Sequence, residues 1–444
     1  MGTMRPLVKR ALFFFVYITL VLLPGILMLV SGKLRGPDFI LKDLAVFLGY
    51  TGLSMAGIQL IAVGKIRWLA DAFNMDKVYN NHHWLSLAST FMIFAHVILL
   101  VFDNARVARF LLIYGQPWKF AAGAIGLLGF ILIGITSVAR RQLKLDYRVW
   151  LYVHDILSAI LLGFGLIHLF KVDYYTQFPL MRAVWIFLIV LYSAMIIHIR
   201  ILKAFFLRKI PYKVESVVRE NETVYTLNLL PDGHKGESFR AGQVAWISAG
   251  DNPYVLSRNP FSYSGSDMAP GGRIRFSIKE VGDFTSSIKE LKPGDRMYID
   301  GPYGRFNLDA PETQKGLVLI GGGIGVAPVI GMVESLRSAK DKRPIYVFYG
   351  DYSERSVLYA EDFAKAGEVL DLHMINVLEN PMDDDYPYKG YITADLMRNI
   401  LPGNYKEFLY FVCGPAPMLR AIERNFKELG IPMSQVQEEN YTMA

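Results

Sequence analysis

The chain has 444 residues, 52% of them hydrophobic, a formal net charge of +7 and a single cysteine. That length accommodates two or three domains. One cysteine, Cys413, excludes an internal disulfide framework, a thiolate zinc site and an iron–sulfur cluster. No basic tract is interleaved with base-stacking aromatics, so the positive charge does not argue for a nucleic-acid partner.

The hydrophobic residues crowd into the first 205 positions. Six apolar stretches, about 11–30, 44–64, 84–102, 120–139, 149–170 and 183–202, are each near the length of a membrane-spanning helix. Ala11–Val30 reads as an anchor rather than a cleaved signal, since it is long enough to span and has no small-residue cleavage pattern. Pro24-Gly25 predicts a kink in it. An even number of spans puts both termini on one side of the bilayer. The segments on that side hold fourteen Lys and Arg against eight in the opposite loops, with Arg140, Arg141, Lys144 and Arg148 carrying most of the difference. The positive-inside rule then predicts a multi-pass membrane protein with both termini cytoplasmic, and the cell (plasma) membrane is the expected location.

Four histidines fall within or at the edge of the third and fifth stretches. His82 and His96 are fourteen positions apart, and so are His154 and His168. Fourteen residues turn through about 1400°, roughly 40° short of whole turns, so each pair shares one helix face. The rise is about 21 Å, which separates the two rings of a pair in depth within a hydrocarbon core of about 30 Å. Isolated membrane histidines often serve as interhelical hydrogen-bond donors, but that explains two identical spacings poorly. Two stacked bis-imidazole sites explain them better: His82 with His154 on the inner side and His96 with His168 on the outer, each suited to one haem. His83 lies about 140° off the face of His96 and is passed over. Asp155 is open between a bond to a haem or ligand neighbour and a helix cap. His198 reads as interfacial, and His234 and His373 as loop or surface residues.

From Tyr212 to about Arg305, short β-type runs alternate with Gly and Pro turns, which predicts a small antiparallel barrel. From Gly316 onward strands alternate with helices, which predicts a parallel α/β domain. The fold class is thus a membrane all-α six-helix domain (1–209), an antiparallel β-barrel (210–312) and an α/β parallel-sheet nucleotide-binding domain (313–444). Neither an internal repeat nor a low-complexity segment is visible.

Within the last domain, Gly321, Gly322, Gly323 and Gly325 followed by Val326, Ala327 and Pro328 form a strand, a glycine turn and a helix start, suited to a pyrophosphate. Its order is G-x-G-x-x-P rather than G-x-G-x-x-G. Cys413-Gly414-Pro415 repeats the arrangement at a second strand end, and the pairing is more specific than either piece. Upstream, Arg258-Asn259-Pro260-Phe261-Ser262 offers a ring face and a short polar group to an isoalloxazine. Gly282-Asp283-Phe284-Thr285-Ser286 offers amides and hydroxyls to the FAD pyrophosphate. Each piece alone is as well explained by an ordinary turn; the ordered set is not. Arg355, after the second strand of the nucleotide domain, suits a 2′-phosphate and slightly favours NADPH over NADH.

These motifs, in this order, resemble the ferredoxin–NADP reductase family over residues 211–444, and the paired histidines resemble the ferric-reductase-like membrane domain. Together the chain resembles the NADPH oxidase and ferric reductase superfamily in a compact bacterial-type form. The resemblance implies two haem b groups, FAD and NAD(P)H as cofactors. It implies electron transfer from cytosolic NAD(P)H to an extracellular acceptor, foremost oxygen giving superoxide. A ferric chelate, or a partner protein fed by an electron-transfer subunit, are the alternatives. The family's carboxy-terminal aromatic, which lies by the flavin until nicotinamide displaces it, matches Tyr441 in Glu439-Asn440-Tyr441. With Cys413 it forms the implied catalytic pair. Three departures stand out: Asn259 replaces the family's His or Arg, three residues follow Tyr441, and Leu100 occupies the position where the oxidases place a further histidine.

Overall fold

A computed structural model of the chain describes residues 6–31, 40–66, 73, 75–111, 114–254, 259–308 and 314–440. Six long helices fill its first part: α1 (Pro6–Ser31), α2 (Ile40–Val63), α3 (Met75–Asp103), α4 (Trp118–Val138), α5 (Tyr147–Val172) and α6 (Pro179–Ile197). All six are long and apolar enough to cross a membrane. Helix α3 begins nine residues before its apolar stretch, because hydropathy marks only the part in hydrocarbon while helical bonding runs on through Asn80 and Asn81. His82 therefore lies inside a helix and not at its edge. Helix α1 continues through Pro24, and the Pro-Gly step allows close approach: a Cβ on Gly25 would come 2.6 Å from the Phe47 ring of α2.

Trp185, Met181, Ile58 and Met28 form the centre of this helical unit, each essentially inaccessible. Two of its buried hydroxyls donate to helix carbonyls, Ser54 to Leu20 (2.9 Å) and Ser89 to Gly52 (2.8 Å). Outward, Phe15, Phe91 and Phe102 are 69–78% exposed, a surface suited to acyl chains and costly in water. At its end α6 widens into a π-helical turn, His198–Leu202.

The second compact unit starts at Phe205. Strands β1 (Tyr212–Arg219), β2 (Val224–Pro231), β3 (Val244–Ala249), β4 (Asn259–Ser262), β5 (Ile274–Lys279) and β6 (Arg296–Tyr303) form one antiparallel sheet, in the order β4-β3-β6-β1-β2-β5. An antiparallel bridge from Tyr263 to Phe276 joins the two ends of that order and closes the barrel. Strand β4 is easily missed in sequence, since Pro260 sits within it; a proline is tolerated there because β4 pairs with β3 alone over its length.

Five parallel strands follow: β7 (Leu317–Gly322), β8 (Ile345–Asp351), β9 (Leu372–Leu378), β10 (Leu409–Gly414) and β11 (Val436–Asn440), in the order β11-β10-β7-β8-β9. Helix α7 (Val326–Ala339) crosses from β7 and buries Val326, Val329, Ile330 and Val333 against the sheet. The chain leaves β7 toward β8 and β9 and later returns to its other side with β10. The carboxyl ends of β7 and β10 thus flank the switch point where ligands bind in such sheets. Arg275 of β5 bonds Glu334 of α7 at 2.9 Å, and the Ser266 amide donates to the same carboxylate at 3.2 Å. This largely buried ion pair ties barrel to nucleotide domain.

Candidate functional site

In the membrane unit the rings of His82 and His154 face one another with centroids 6.2 Å apart. A metal–imidazole bond is about 2 Å, so two such bonds plus two ring half-widths separate the centroids by about 6 Å. The spacing fits one iron between the rings. Both side chains are half-buried, and Nδ1 of His82 has no hydrogen-bond partner among the described residues. Ser137 lies 3.4 Å from Nδ1 of His154, and the Trp150 ring packs against that imidazole at 5.1 Å. His83, by contrast, is exposed and packs on Trp84.

His96 and His168 lie about 21 Å further along the same two helices. Nδ1 of His96 lies 2.8 Å from the Ala45 carbonyl oxygen, and Nδ1 of His168 lies 2.7 Å from that of Lys119. A carbonyl only accepts, so each Nδ1 carries the proton and each Nε2 keeps its lone pair. That is the tautomer a metal takes.

Asp155, one residue from His154, is not the helix cap: it forms an ion pair with Arg200 of the π-helical turn. The cap of α5 is Asp146, whose carboxylate accepts from the amides of Arg148 (2.9 Å) and Val149 (3.2 Å). Sequence alone did not find the Arg200 partner, because the two residues are 45 positions apart.

In the barrel, Asn259, Pro260, Phe261 and Ser262 lie on β4, half-buried and in register with β3. Phe261 and Phe284 stack with centroids 6.1 Å apart, an apolar wall brought together from two separate motifs. Gly282 precedes the short helix Asp283–Ser287. The Thr285 hydroxyl accepts from the amides of Val281 and Gly282, both at 2.9 Å, and the Ser286 side chain bonds Glu280. Thr285 thus shapes the turn and is already engaged, unlike the free hydroxyl the sequence suggested. Arg258 and Tyr441 lie outside the described residues.

At the switch point the two glycine motifs touch. A Cβ on Gly322 would come 2.2 Å from Met418 Sδ, and one on Gly325 would come 2.3 Å from the Cys413 carbonyl oxygen. Gly323 adopts a left-handed φ of 54°. Val326, Ala327 and Pro328 open α7 and are buried, while Gly414 and Pro415 lead into the helix α8 (Ala416–Leu429). Cys413 is buried and pairs in register with Gly321 on one side and Glu439 on the other. Glu439 is 2% exposed, a carboxylate buried beside the cysteine. Sequence reasoning passed over Glu439, because β11 itself was not foreseen.

Asp351 and Glu379 stand at the ends of β8 and β9, linked by a 3.0 Å bond from the Glu379 amide to the Asp351 carbonyl. The Asp351 carboxylate accepts from the Tyr349 hydroxyl (2.8 Å) and the Tyr352 amide (2.7 Å). Burial, reinforced by the Asp351 charge, holds the Tyr349 hydroxyl well above the usual phenol range, so it stays a donor. Glu379 accepts from Tyr391 at 3.2 Å. Arg355 is exposed, in the 3₁₀ turn Glu354–Ser356.

Residues 48–165 match the family model described as the ferric reductase like transmembrane component, and residues 319–424 match that of the oxidoreductase NAD-binding domain. The chain is 29% identical over 232 residues to NADH-cytochrome b5 reductase 1 of Laccaria bicolor, spanning 51% of this chain and 74% of that protein. It is 35% identical over 156 residues to one component of the Na(+)-translocating NADH-quinone reductase of Actinobacillus pleuropneumoniae, spanning 34% of this chain and 38% of the relative. Relatives of that second kind are therefore matched over less than two thirds of their own length. Among solved structures, flavohemoglobin from Malassezia yamatoensis with bound FAD and heme is similar at 19% identity. It covers 91% of this chain and 98% of its own, with a TM-score of 0.48. The ferredoxin reductase in carbazole 1,9a-dioxygenase is 24% identical, covers 52% of this chain and 69% of its own, with a TM-score of 0.46. One polypeptide thus carries a ferric-reductase-like transmembrane domain and an oxidoreductase NAD-binding domain, a combination that matches a fusion of the ferric reductase and NADPH oxidase type.

Proposed function

We propose that this chain is a transmembrane NAD(P)H oxidoreductase of the cell membrane, passing electrons from cytosolic coenzyme to an acceptor outside, foremost oxygen, which yields superoxide. The observation that carries the reading is the pair His82 and His154 with ring centroids 6.2 Å apart, joined by His96 and His168 about 21 Å further along the same two helices. FAD, when bound, supplies the conversion of a hydride into single electrons, and two haem b groups supply one-electron stations across the bilayer.

The chain's own residues supply position. Residues 1–209 hold the haems, 210–312 the flavin and 313–444 the coenzyme. The glycines of 321–325 bring backbone close to a pyrophosphate at the start of α7, and Gly414-Pro415 bounds the same crevice. Phe261 and Ser262 meet the flavin, with Gly282–Ser286 shaping its phosphate loop. Cys413 and Glu439 belong to the nicotinamide end, and the family resemblance assigns Tyr441 the role of covering the flavin until coenzyme arrives.

At the adenosine ribose, Asp351 and Glu379 accept from a free 2′-hydroxyl and repel a 2′-phosphate. The names of the two curated relatives, both NADH enzymes, support the same choice. The coenzyme is therefore NADH over NADPH, reversing the preference that Arg355 alone suggested.

A ferric chelate is the second reading for the acceptor. Arg106 and Arg109 are exposed on the 3₁₀ helix Ala105–Leu111, in a loop assigned to the outer side, and offer charge to an anionic chelate. The test is the anaerobic visible spectrum of the purified full chain after NADH is added, followed as air and then ferric citrate are admitted. Bis-histidine b-type bands that rise with NADH and fade in air support oxygen. Bands that persist in air and fade with ferric citrate support the chelate. A chain made with ample haem and showing no such bands refutes the haem reading.

A further inference from the structure

The outer histidines are seated on glycines. A Cβ on Gly49 would come 2.7 Å from Nδ1 of His96, and a Cβ on Gly123 would come 2.7 Å from Nδ1 of His168. In each case the carbonyl that accepts the Nδ1 proton belongs to the residue four positions earlier, Ala45 for Gly49 and Lys119 for Gly123. The coincidence has a geometric cause. A helical Cα–Cβ bond tilts toward the amino terminus, so a side chain covers the turn before its own. The residue that would shield the carbonyl of position 45 from an incoming ring is therefore position 49, and likewise 123 for 119. Glycine at both leaves the second lone pair of a carbonyl, already bonded within its helix, open to an imidazole.

The correspondence extends further. Gly49 and Gly123 are 74 positions apart, as are Gly52 and Gly126. A Cβ on Gly52 meets Ile93 at 3.2 Å and one on Gly126 meets Gly165 at 3.3 Å, each three residues before its histidine. The α2–α3 pair is thus repeated as α4–α5, although no repeat is visible in the sequence. The inner pair has no such arrangement in the described residues: His154 meets a serine side chain, and glycine lines neither ring.

We propose that Gly49 and Gly123 are positioning residues that lock the outer imidazole pair by main-chain contact, fixing tautomer and ring orientation, a seat the inner pair lacks among the described residues. The proposal rests on the haem reading above. A methyl at either position pushes the ring off its carbonyl, because a ring tethered at Nε2 has no free rotamer to retreat into.

The full-length chain in nanodiscs, with Gly49→Ala and Gly123→Ala made separately, tests this through haem-to-protein ratio, ferric electron paramagnetic resonance and potentiometric titration. Gly134→Ala and Gly163→Ala are controls, since a Cβ at either meets nothing within 4 Å. Gly57→Ala controls for crowding, since its Cβ would come 2.3 Å from the Tyr192 ring, away from the histidines. The expected result is loss or conversion to high spin of one low-spin species, the same one in both seat variants, with the other species and its potential unchanged. The open controls keep both species. Retention of both low-spin species with unchanged potentials in Gly49→Ala and Gly123→Ala overturns the proposal, as does selective loss of that species in Gly57→Ala. A wild-type chain without haem overturns the underlying reading instead.

Discussion

Gly325 lies so close under Cys413 that a Cβ placed on it would come 2.3 Å from the Cys413 carbonyl oxygen and 2.8 Å from its carbonyl carbon. The backbone at Gly325 is ordinary, φ −62°, so space and not dihedral freedom requires glycine there. Gly325→Ala must part the two loops that bound the crevice. Overpacking of this kind costs about 1–3 kcal/mol. The expected outcome is a lower thermal midpoint for the flavin-bearing half and a raised KM for coenzyme, read by melting and by NADH–ferricyanide kinetics. An unchanged KM would show that the loops do not bound the coenzyme site.

Removing one inner ligand should separate coenzyme oxidation from transmembrane transfer. His82→Ala or His154→Ala is expected to leave NADH bleaching of the flavin intact, since neither residue belongs to the coenzyme-binding half. The same variants should lose half the haem and stop reduction of the remaining half. Stopped-flow spectra at flavin and haem wavelengths check both expectations at once.

Coenzyme choice is the next point of attack. Asp351→Ser with Glu379→Arg replaces two carboxylates at the strand ends by a hydroxyl and a cation. The ratio of kcat/KM for NADH to that for NADPH is expected to fall by at least roughly tenfold, about 1.4 kcal/mol. Arg355→Ala should move the same ratio little, because the carboxylates dominate there. A wild-type chain that prefers NADPH would reject this assignment of the two acids.

The Arg275–Glu334 pair should matter more to stability than any exposed ion pair. Its side chains are only 20% and 15% exposed, and Glu334 also accepts from the Ser266 amide. Glu334→Ala strands a buried guanidinium, and breaking such a pair costs about 3–5 kcal/mol. Replacing both partners, Arg275→Met with Glu334→Leu, should recover most of that loss. Chemical denaturation of the four-member cycle measures the coupling.

Much of this architecture is legible in the chain because its signals are local. Apolar length marks the six helices, and each glycine motif sits where a strand turns into a helix, as at Gly322–Val326. The fourteen-residue histidine spacing is also local. What sequence hides is pairing at a distance. Asp155 and Arg200 meet only because α5 and the π-helical turn pack side by side. Strand β11 is short and rich in Glu and Gln, and becomes a strand only against β10. The repeat of α2–α3 in α4–α5 is written in single glycines and histidines at offsets of 74 and 72 positions, too sparse to register against lipid-facing residues free to vary.

Each imidazole pair draws one ring from α3 and one from α5, with neither pair contained in a single helical hairpin. During synthesis α3 enters the bilayer with both of its histidines unmatched, and they stay so until α5 has followed. On the proposed haem reading, no iron is held by two rings before residue 154 is in place, and the outer site waits for residue 168. If the four histidines hold haem as proposed, cofactor capture is a late event in biogenesis, and it fastens the first hairpin to the second like a bolt through two leaves of a hinge. A cell short of haem would accumulate chains whose helices are inserted but not yet joined, and these are the forms a membrane protease would meet first.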